Sequence, residues 1–255
     1  MVGTVKTTVS DGIATVSFGH PASNSFPSSL LDELTNEFNR LRDDNQVVII
    51  VLKSQGENTF CAGAFFGELL EIDTFEKGKA FFSGFANLLN AMRKCSKIII
   101  GRVHGKSVGG GVGLISACDY VIATNQAVIK LSELTIGIGP FVIAPFLERR
   151  MGRQAFSELA LMAHEWKDAI WAKENGLYTK IVNSITDLDR ELSVISFKLA
   201  SYNPDALLEL KKILWEGTEH WDELVLQRAS ISGKLVLSPF TKKVLQKKNS
   251  IYLVL

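Results

Sequence analysis

Residues 98–124 read IIIGRVHGKSVGGGVGLISACDYVIAT, and this stretch decides the fold. Ile98 to Val103 is a largely apolar run of the kind found in a strand covered on both faces. A glycine-rich loop follows, ending in the triplet Gly109-Gly110-Gly111. Val112 to Ala117 then reads as a short buried helix, and Tyr120 to Ala123 as the next strand. Strand, glycine loop, helix, strand is an α/β rhythm.

The rhythm extends upstream. Val47 to Leu52 is another continuous apolar strand, followed by a glycine-containing loop over 54–67 and a helical region reaching Lys94. Before it, Leu30, Leu31, Leu34, Phe38 and Leu41 recur at helical spacing. Thr4 to Val9 and Ile13 to Phe18 alternate in hydropathy and meet at Asp11-Gly12, a hairpin signal. Downstream, Val128 to Leu131 reads as a short strand before a loop over Gly137 to Pro140. Helices are expected at Val142–Met151, Gln154–Met162 and Lys167–Asn175, the last stopped by Gly176. Ile181 and Val182 form a final short strand. From Leu188 the pattern is helical, broken at Asn203-Pro204 and Ser238-Pro239. A boundary is therefore expected near residue 190, between an α/β core (1–190) and a helical region (191–255) that packs on the core or on a neighbouring subunit.

Composition narrows the classes. The 255 residues are 46% hydrophobic and 22% charged, which excludes wholesale disorder. A net charge of +1 gives no basic excess for a nucleic-acid partner. Three cysteines, Cys61, Cys95 and Cys118, are sparse and lack metal-type spacing, so a reduced, cytoplasmic home and no metal are expected. The first eighteen residues hold no apolar core of a signal peptide. Residues 97–118 are the most membrane-like stretch, but Lys97, Arg102, His104, Lys106 and several glycines interrupt it, so no membrane span is expected.

Two glycine loops carry the candidate chemistry. Asn58-Thr-Phe-Cys-Ala-Gly-Ala64 lets a ligand carbonyl approach backbone N–H groups. The Gly109–Gly111 triplet opens a helix, where unpaired N–H groups and the positive dipole end face outward. One donor from each could form an oxyanion hole, and two simple tight turns fit the same pattern. Other motifs fail. Gly101-Arg-Val-His-Gly105-Lys-Ser has three residues between its glycines where a phosphate-binding loop needs four, and no dinucleotide fingerprint follows the first strand. No Gly-x-Ser-x-Gly motif is read, and the histidines have no nearby Ser or Cys in a nucleophile-elbow context, so a serine hydrolase is not expected. His104, at a strand end, reads as structural, and Asp119 as a residue tying down a turn. Glu133 lies between apolar residues just before a glycine loop. A buried proton-shuttling carboxylate and a solvated strand-end glutamate both suit that setting.

Taken together, these segments resemble the crotonase (enoyl-CoA hydratase/isomerase) superfamily. Phe60-Cys-Ala-Gly-Ala64 is similar to its (F/S)-x-A-G-A-D loop, and Val103 to Leu114 to its V-x-G-x-x-x-G-G-G-x-x-L segment. Ala117-Cys-Asp119 matches (A/C)-(C/S)-D, Ser132-Glu133-Leu-Thr-Ile-Gly137 resembles P-E-x-x-x-G, and Asn24-Ser-Phe26 resembles N-A-(L/F). Order and spacing agree over about residues 3–185. The resemblance implies an α/β spiral of ββα units with a helical C-terminal trimerisation region, giving a homotrimer or a dimer of trimers. It implies an acyl-CoA thioester as substrate and no separate cofactor, since coenzyme A arrives with the substrate. The N–H groups of Ala64 and Gly110 would hold the thioester oxygen, with Glu133 as acid/base. Backbone at Asn24, Ser25, Phe26, Ala62, Gly63 and Gly109 would contact substrate. Phe65, Phe66 and Phe141 would line the acyl pocket, and Lys247 would reach the nucleotide phosphates of a neighbouring subunit's CoA.

Two departures from the family pattern matter. The second glutamate that hydratases carry two residues after the triplet is Gly113 here. The aspartate of the first loop is Phe65, and the lysine often found two positions later is Gly67. One glutamate suffices to move a double bond from C3–C4 to C2–C3, so the expectation leans to a Δ3,Δ2-enoyl-CoA isomerase. An enoyl-CoA hydratase (including a methylglutaconyl-CoA hydratase-like one) and a non-catalytic acyl-CoA-binding protein are the alternatives. Glu68 or Glu71 would be the source of a second carboxylate.

Overall fold

The computed structural model describes residues 3–252, with side chains placed through residue 247. Strands β1 (Thr4–Ser10) and β2 (Ile13–Gly19) pair antiparallel as expected. Asp11 and Gly12 take φ of 53° and 76°, as a two-residue turn that follows strand twist requires.

Helix α1 (Ser28–Arg42) buries the predicted stripe of Leu30, Leu31, Leu34, Phe38 and Leu41. Three units of similar plan follow. In the first, β3 (Ile49–Ser54) and β4 (Thr59–Cys61) lead to α2 (Phe66–Glu71) and α3 (Phe75–Lys94). In the second, β5 (Ile98–Val103) and β6 (Lys106–Val108) lead to α4 (Gly110–Ser116). The third contains β7 (Tyr120–Thr124), β8 (Ile129–Lys130) and a 3-10 turn at Glu133–Ile136. After these come α5 (Ala144–Leu161), α6 (Ala169–Glu174) and β9 (Lys180–Val182).

The first strand of each unit joins a six-stranded sheet in the order β1-β2-β3-β5-β7-β9, and the second joins a three-stranded sheet, β4-β6-β8. From β2 onward the strands pair parallel with one another, and Ile129 of β8 adds an antiparallel bridge to Lys167. This is the expected spiral of ββα units. The structure departs from the sequence expectation at β4 and β6, which lie within the expected loops. Each is three residues long, and they find their partners in one another.

Helices α7 (Ile185–Ala200), α8 (Pro204–Leu214), α9 (Trp221–Leu235) and α10 (Pro239–Tyr252) complete the chain. Asn203 caps α8, its side chain accepting from Asp205 N–H, with Pro204 in the first turn where its missing N–H costs nothing. The boundary expected at residue 190 falls inside α7. One face of the large sheet packs Ile49, Ile98 and Ile100 against Leu192, Ile195, Leu199 and Leu207 of α7 and α8. On the other side lies the main core, which holds Trp215, Trp221, Val225 and Val236 together with Phe26, Phe60 and Phe85. The helical region thus shares the α/β core.

Buried polar junctions help fix that packing, among them those of Asp119 and Arg93. Asp119 accepts from Lys211 Nζ at 2.6 Å, Trp215 Nε1 at 2.7 Å and Ile99 N at 2.8 Å, joining β5, the turn before β7 and α8. This fits its expected role of tying down a turn. Arg93 pairs with Asp222 and donates to Asn90 and Thr218, joining α3 to α9.

Candidate active site

The site forms where the two glycine loops meet. Gly63 takes φ of +83°, and a Cβ on it would stand 2.8 Å from the Val108 carbonyl and 3.4 Å from Gly110 N. The loops therefore touch, and only glycine allows it. The Gly63 carbonyl accepts from Phe26 N at 2.7 Å, and Phe65 N donates to the Phe26 carbonyl at 3.0 Å. Since a trans peptide points its C=O and N–H in opposite directions, the Ala64 N–H is turned away from Phe26. By the same logic, the Gly109 carbonyl accepts from Val112 and Gly113 within α4, so the Gly110 N–H faces out of the helix start. Among the described residues neither amide donates to a protein acceptor.

Every glycine around this helix start makes way for a particular neighbour. A Cβ on Gly109 (φ +53°) would stand 2.8 Å from Glu133 Oε1. On Gly110 it would overlap the Phe85 ring, with Cδ1 at 2.9 Å, and on Gly111 it would press on Cys61 Cβ at 2.7 Å. On Gly113 it would overlap Ile143, whose Cβ would be 2.9 Å away. Glu133 thus sits against Gly109, which precedes the Gly110 amide. Part of the residue reaches the surface, yet its carboxylate points inward, with Oε2 buried and without a partner among the described residues. Burial pushes its pKa up to about 7. Of the two sequence readings, the buried acid is the one found.

Helices α5 and α10 both pack on the 3-10 turn that carries Glu133. Helix α10 also packs against α2, with Phe240 and Thr241 directly over Gly137 (φ +82°) and Lys242 Nζ donating to the Ile72 carbonyl. The expected reach of Lys247 to a neighbouring subunit thus meets a helix packed beside its own chain's site, where Lys247 is exposed.

The remaining candidates divide. Asn24 and Ser25 lie beside Ala62 and Gly63, with Ala62 N donating to the Ser23 carbonyl, but their side chains face inward. Asn24 Nδ2 donates to the Gln55 and Thr59 carbonyls, and Ser25 Oγ meets His20 Nδ1. Phe26 is core. Phe65 meets the His20 ring edge-on at 5.0 Å, in space that Gly67 leaves open. Phe66 packs partly buried against the core, whereas Phe141 folds back over Gly139. Glu68 is not in the pocket: its carboxylate accepts from Ser28 N–H and Oγ at the start of α1. Glu71 is exposed. Phe85 and Ile143 were missed, because no local pattern distinguishes a site-lining apolar residue from a core one.

Gly105-Lys-Ser107-Val-Gly109 has Gly-x-Ser-x-Gly spacing, which corrects the expectation that the motif is absent. Ser107 lies in β6 rather than on a strand-to-helix turn, and its buried Oγ has no partner base among the described residues. His104 is buried, with its pKa lowered to about 4 by burial and by Arg102, as befits a structural ring. Among the described residues, no three side chains could hold a metal ion, and no helix is long and apolar enough to cross a membrane.

Comparisons with known proteins agree with this architecture. Residues 8–252 match the family model "Enoyl-CoA hydratase/isomerase". The chain is 30% identical over 202 residues to the bacillaene synthase dehydratase PksH of Bacillus subtilis, covering 74% of this chain and 76% of that one. It is 29% identical over 209 residues to a short-chain-enoyl-CoA hydratase of Clostridium acetobutylicum, covering 81% and 79%. Among solved structures, an enoyl-CoA hydratase from Bacillus halodurans superposes with a TM-score of 0.89 at 19% identity, covering 95% of this chain and 99% of that one. A family match spanning nearly the whole chain, on a fold of two sheets and C-terminal helices, leads to one conclusion: the chain belongs to the enoyl-CoA hydratase/isomerase, or crotonase, family of acyl-CoA enzymes.

Proposed function

We propose that this enzyme is a Δ3,Δ2-enoyl-CoA isomerase with Glu133 as its single acid/base. The amides of Ala64 and Gly110 hold the thioester oxygen. They acidify the C2 proton and stabilise the dienolate, each donor contributing about 3 kcal/mol at the barrier. Glu133, ionised at neutral pH in part of the population, takes the C2 proton and returns it at C4. The carboxylate regains its starting state, so no other group need change charge.

The observation that carries this reading is the contact between Gly113 and Ile143. The place of a second, water-positioning carboxylate is occupied by an apolar side chain. Glu68 is engaged at α1, so it supplies no replacement. Phe85 and Ile143 make the surroundings apolar, which suits a reaction that must keep water from the dienolate.

Hydration is the second reading, favoured by the likeness to a short-chain-enoyl-CoA hydratase and a dehydratase. Paired assays decide between them: isomerisation of a 3-enoyl-CoA and hydration of crotonyl-CoA, each with wild type and Glu133→Gln. Isomerisation lost in the variant, with little hydration in either protein, supports the isomerase. Brisk crotonyl-CoA hydration by wild type overturns it, and inactivity of both proteins on both substrates indicates a binding protein.

Three further assignments belong to the same proposal. Exposed Val194, Phe197, Leu210 and Ile213 on α7 and α8 support a homotrimeric assembly, testable by light scattering. The packing of α10 on α2 supports a role for Lys247 at the CoA phosphates of its own chain's site. Three free, buried cysteines support a reducing compartment such as the cytoplasm.

A further inference from the structure

Helix α1 starts without a cap of its own. Pro27 at the N-cap position has no side-chain acceptor, and the first turn carries no acid. An uncapped helix start leaves N–H groups and a positive dipole end unsatisfied. The missing acceptor comes from forty residues away. Glu68 of α2 accepts from Ser28 N at 2.9 Å through Oε2 and at 3.2 Å through Oε1, and from Ser28 Oγ at 2.7 Å. Charge-assisted bonds of this kind are stronger than neutral ones.

These bonds close one end of a zipper. Chain segment 23–28 runs beside 62–68, joined in turn by Ala62 N to Ser23 O at 3.1 Å, Phe26 N to Gly63 O at 2.7 Å and Phe65 N to Phe26 O at 3.0 Å. Phe26 and Ala64 form the bridge at its centre. The orientation of the Gly63–Ala64 peptide is therefore set by how firmly the two segments stay in register. Helix α2, with only six residues, cannot hold that register alone. Leu69 packs it into the core, and its polar ties include Glu68 to α1 and the Lys242 bond to Ile72 just after it.

We propose that Glu68 is a positioning residue for the oxyanion hole: its carboxylate latches α2 to the start of α1 and so keeps the Ala64 N–H aimed toward Gly110. Glu68 touches no reacting atom. Its effect reaches the substrate only through the peptide plane of Ala64, so the inference rests on the reading of Ala64 as an oxyanion donor. Serving the latch also accounts for Glu68's absence from the pocket.

The test uses the full chain and the variants Glu68→Ala, Glu68→Gln and Ser28→Ala. The probe is an aryl-enoyl-CoA, whose conjugated absorbance band moves to the red when its carbonyl is polarised. With wild type the bound probe shifts red. Glu68→Ala is expected to bind the probe with little loss of affinity, to lose most of the shift and to lower kcat about 10- to 100-fold with KM little changed. Glu68→Gln, which keeps an acceptor oxygen, restores most of the shift. Hydrogen exchange of the Phe26 and Phe65 amides reads the latch without any substrate, and it should quicken in Glu68→Ala. Should Glu68→Ala fail to fold, Ser28→Ala carries the same expectations in milder form. A full red shift and unchanged exchange in a folded Glu68→Ala or Ser28→Ala, even one less stable to heat, would overturn the latch. No red shift in wild type would instead sink the oxyanion reading, leaving the exchange result to judge the latch by itself.

Discussion

Ile143 occupies the space that any side chain on Gly113 would need: a Cβ added there would stand 2.9 Å from the Cβ of Ile143 and overlap its Cγ2. Helix α4 and the start of α5 are packed around that missing side chain, so the loss of the hydratase-type glutamate and the presence of Ile143 form one feature.

Replacing Gly113 should therefore be costly even by alanine, despite alanine's better helix propensity. Gly113→Ala is expected to lose about 1–3 kcal/mol through overpacking. Gly113→Ala/Ile143→Ala should recover a good part of it. Chemical denaturation of the two variants checks this, and a single variant as stable as wild type would contradict the packing.

Glu133 makes stability and activity depend on pH in opposite senses. Its folded pKa, raised to about 7, lies above the ordinary carboxylate value of 4.5. Below about pH 4.5 the group is protonated in both folded and unfolded chains, so burial carries no ionisation penalty. As pH rises toward 7, the unfolded chain releases the proton first, and stability at this site falls. Glu133→Gln should lack that decline, so the difference between the two proteins should grow between pH 5 and pH 7. The isomerase rate needs the carboxylate as base, so kcat/KM should rise with pH and level off above about 7. A flat rate profile across that range would rule out Glu133 as the base.

Gly109→Ala places a methyl against Glu133 Oε1 at a backbone φ of +53° that disfavours side chains. The carboxylate must swing aside, and kcat should fall on the order of 10²-fold with the substrate still bound. Steady-state kinetics on a 3-enoyl-CoA measure the split.

Asp119→Ala should act on stability alone. It would strand the ammonium of Lys211, whose side chain is 3% exposed, and leave Trp215 Nε1 without its acceptor. Removing one partner of a buried ion pair typically costs about 3–5 kcal/mol. Denaturation should show that loss, while the kcat of the folded fraction stays near wild type.

Much of this architecture is legible in the chain itself. β3 and β5 announce themselves because strands covered on both faces become apolar throughout, and Asp11-Gly12, Gly176 and Asn203-Pro204 mark ends by their own backbone preferences. β4 and β6 do not, since three residues carry no period and each is a strand only because the other lies alongside. In the site, the glycines were readable as close approaches, but what approaches them was not. Phe85 and Ile143 reach the site from α3 and from the start of α5. The burial of Glu133 depends on the same long-range packing, since α5 and α10 both pack on its 3-10 turn. Family resemblance supplied the roles, while contacts between distant segments explain why Gly113 cannot carry a second acid.

A one-carboxylate isomerase makes its sharpest commitment in the fate of a single hydrogen. A 3-enoyl-CoA deuterated at C2, turned over once in ordinary water, should yield a 2-enoyl-CoA with part of the deuterium at C4, carried there by Glu133, and with no oxygen gained. A product bearing a hydroxyl at C3, with no deuterium at C4, would contradict it.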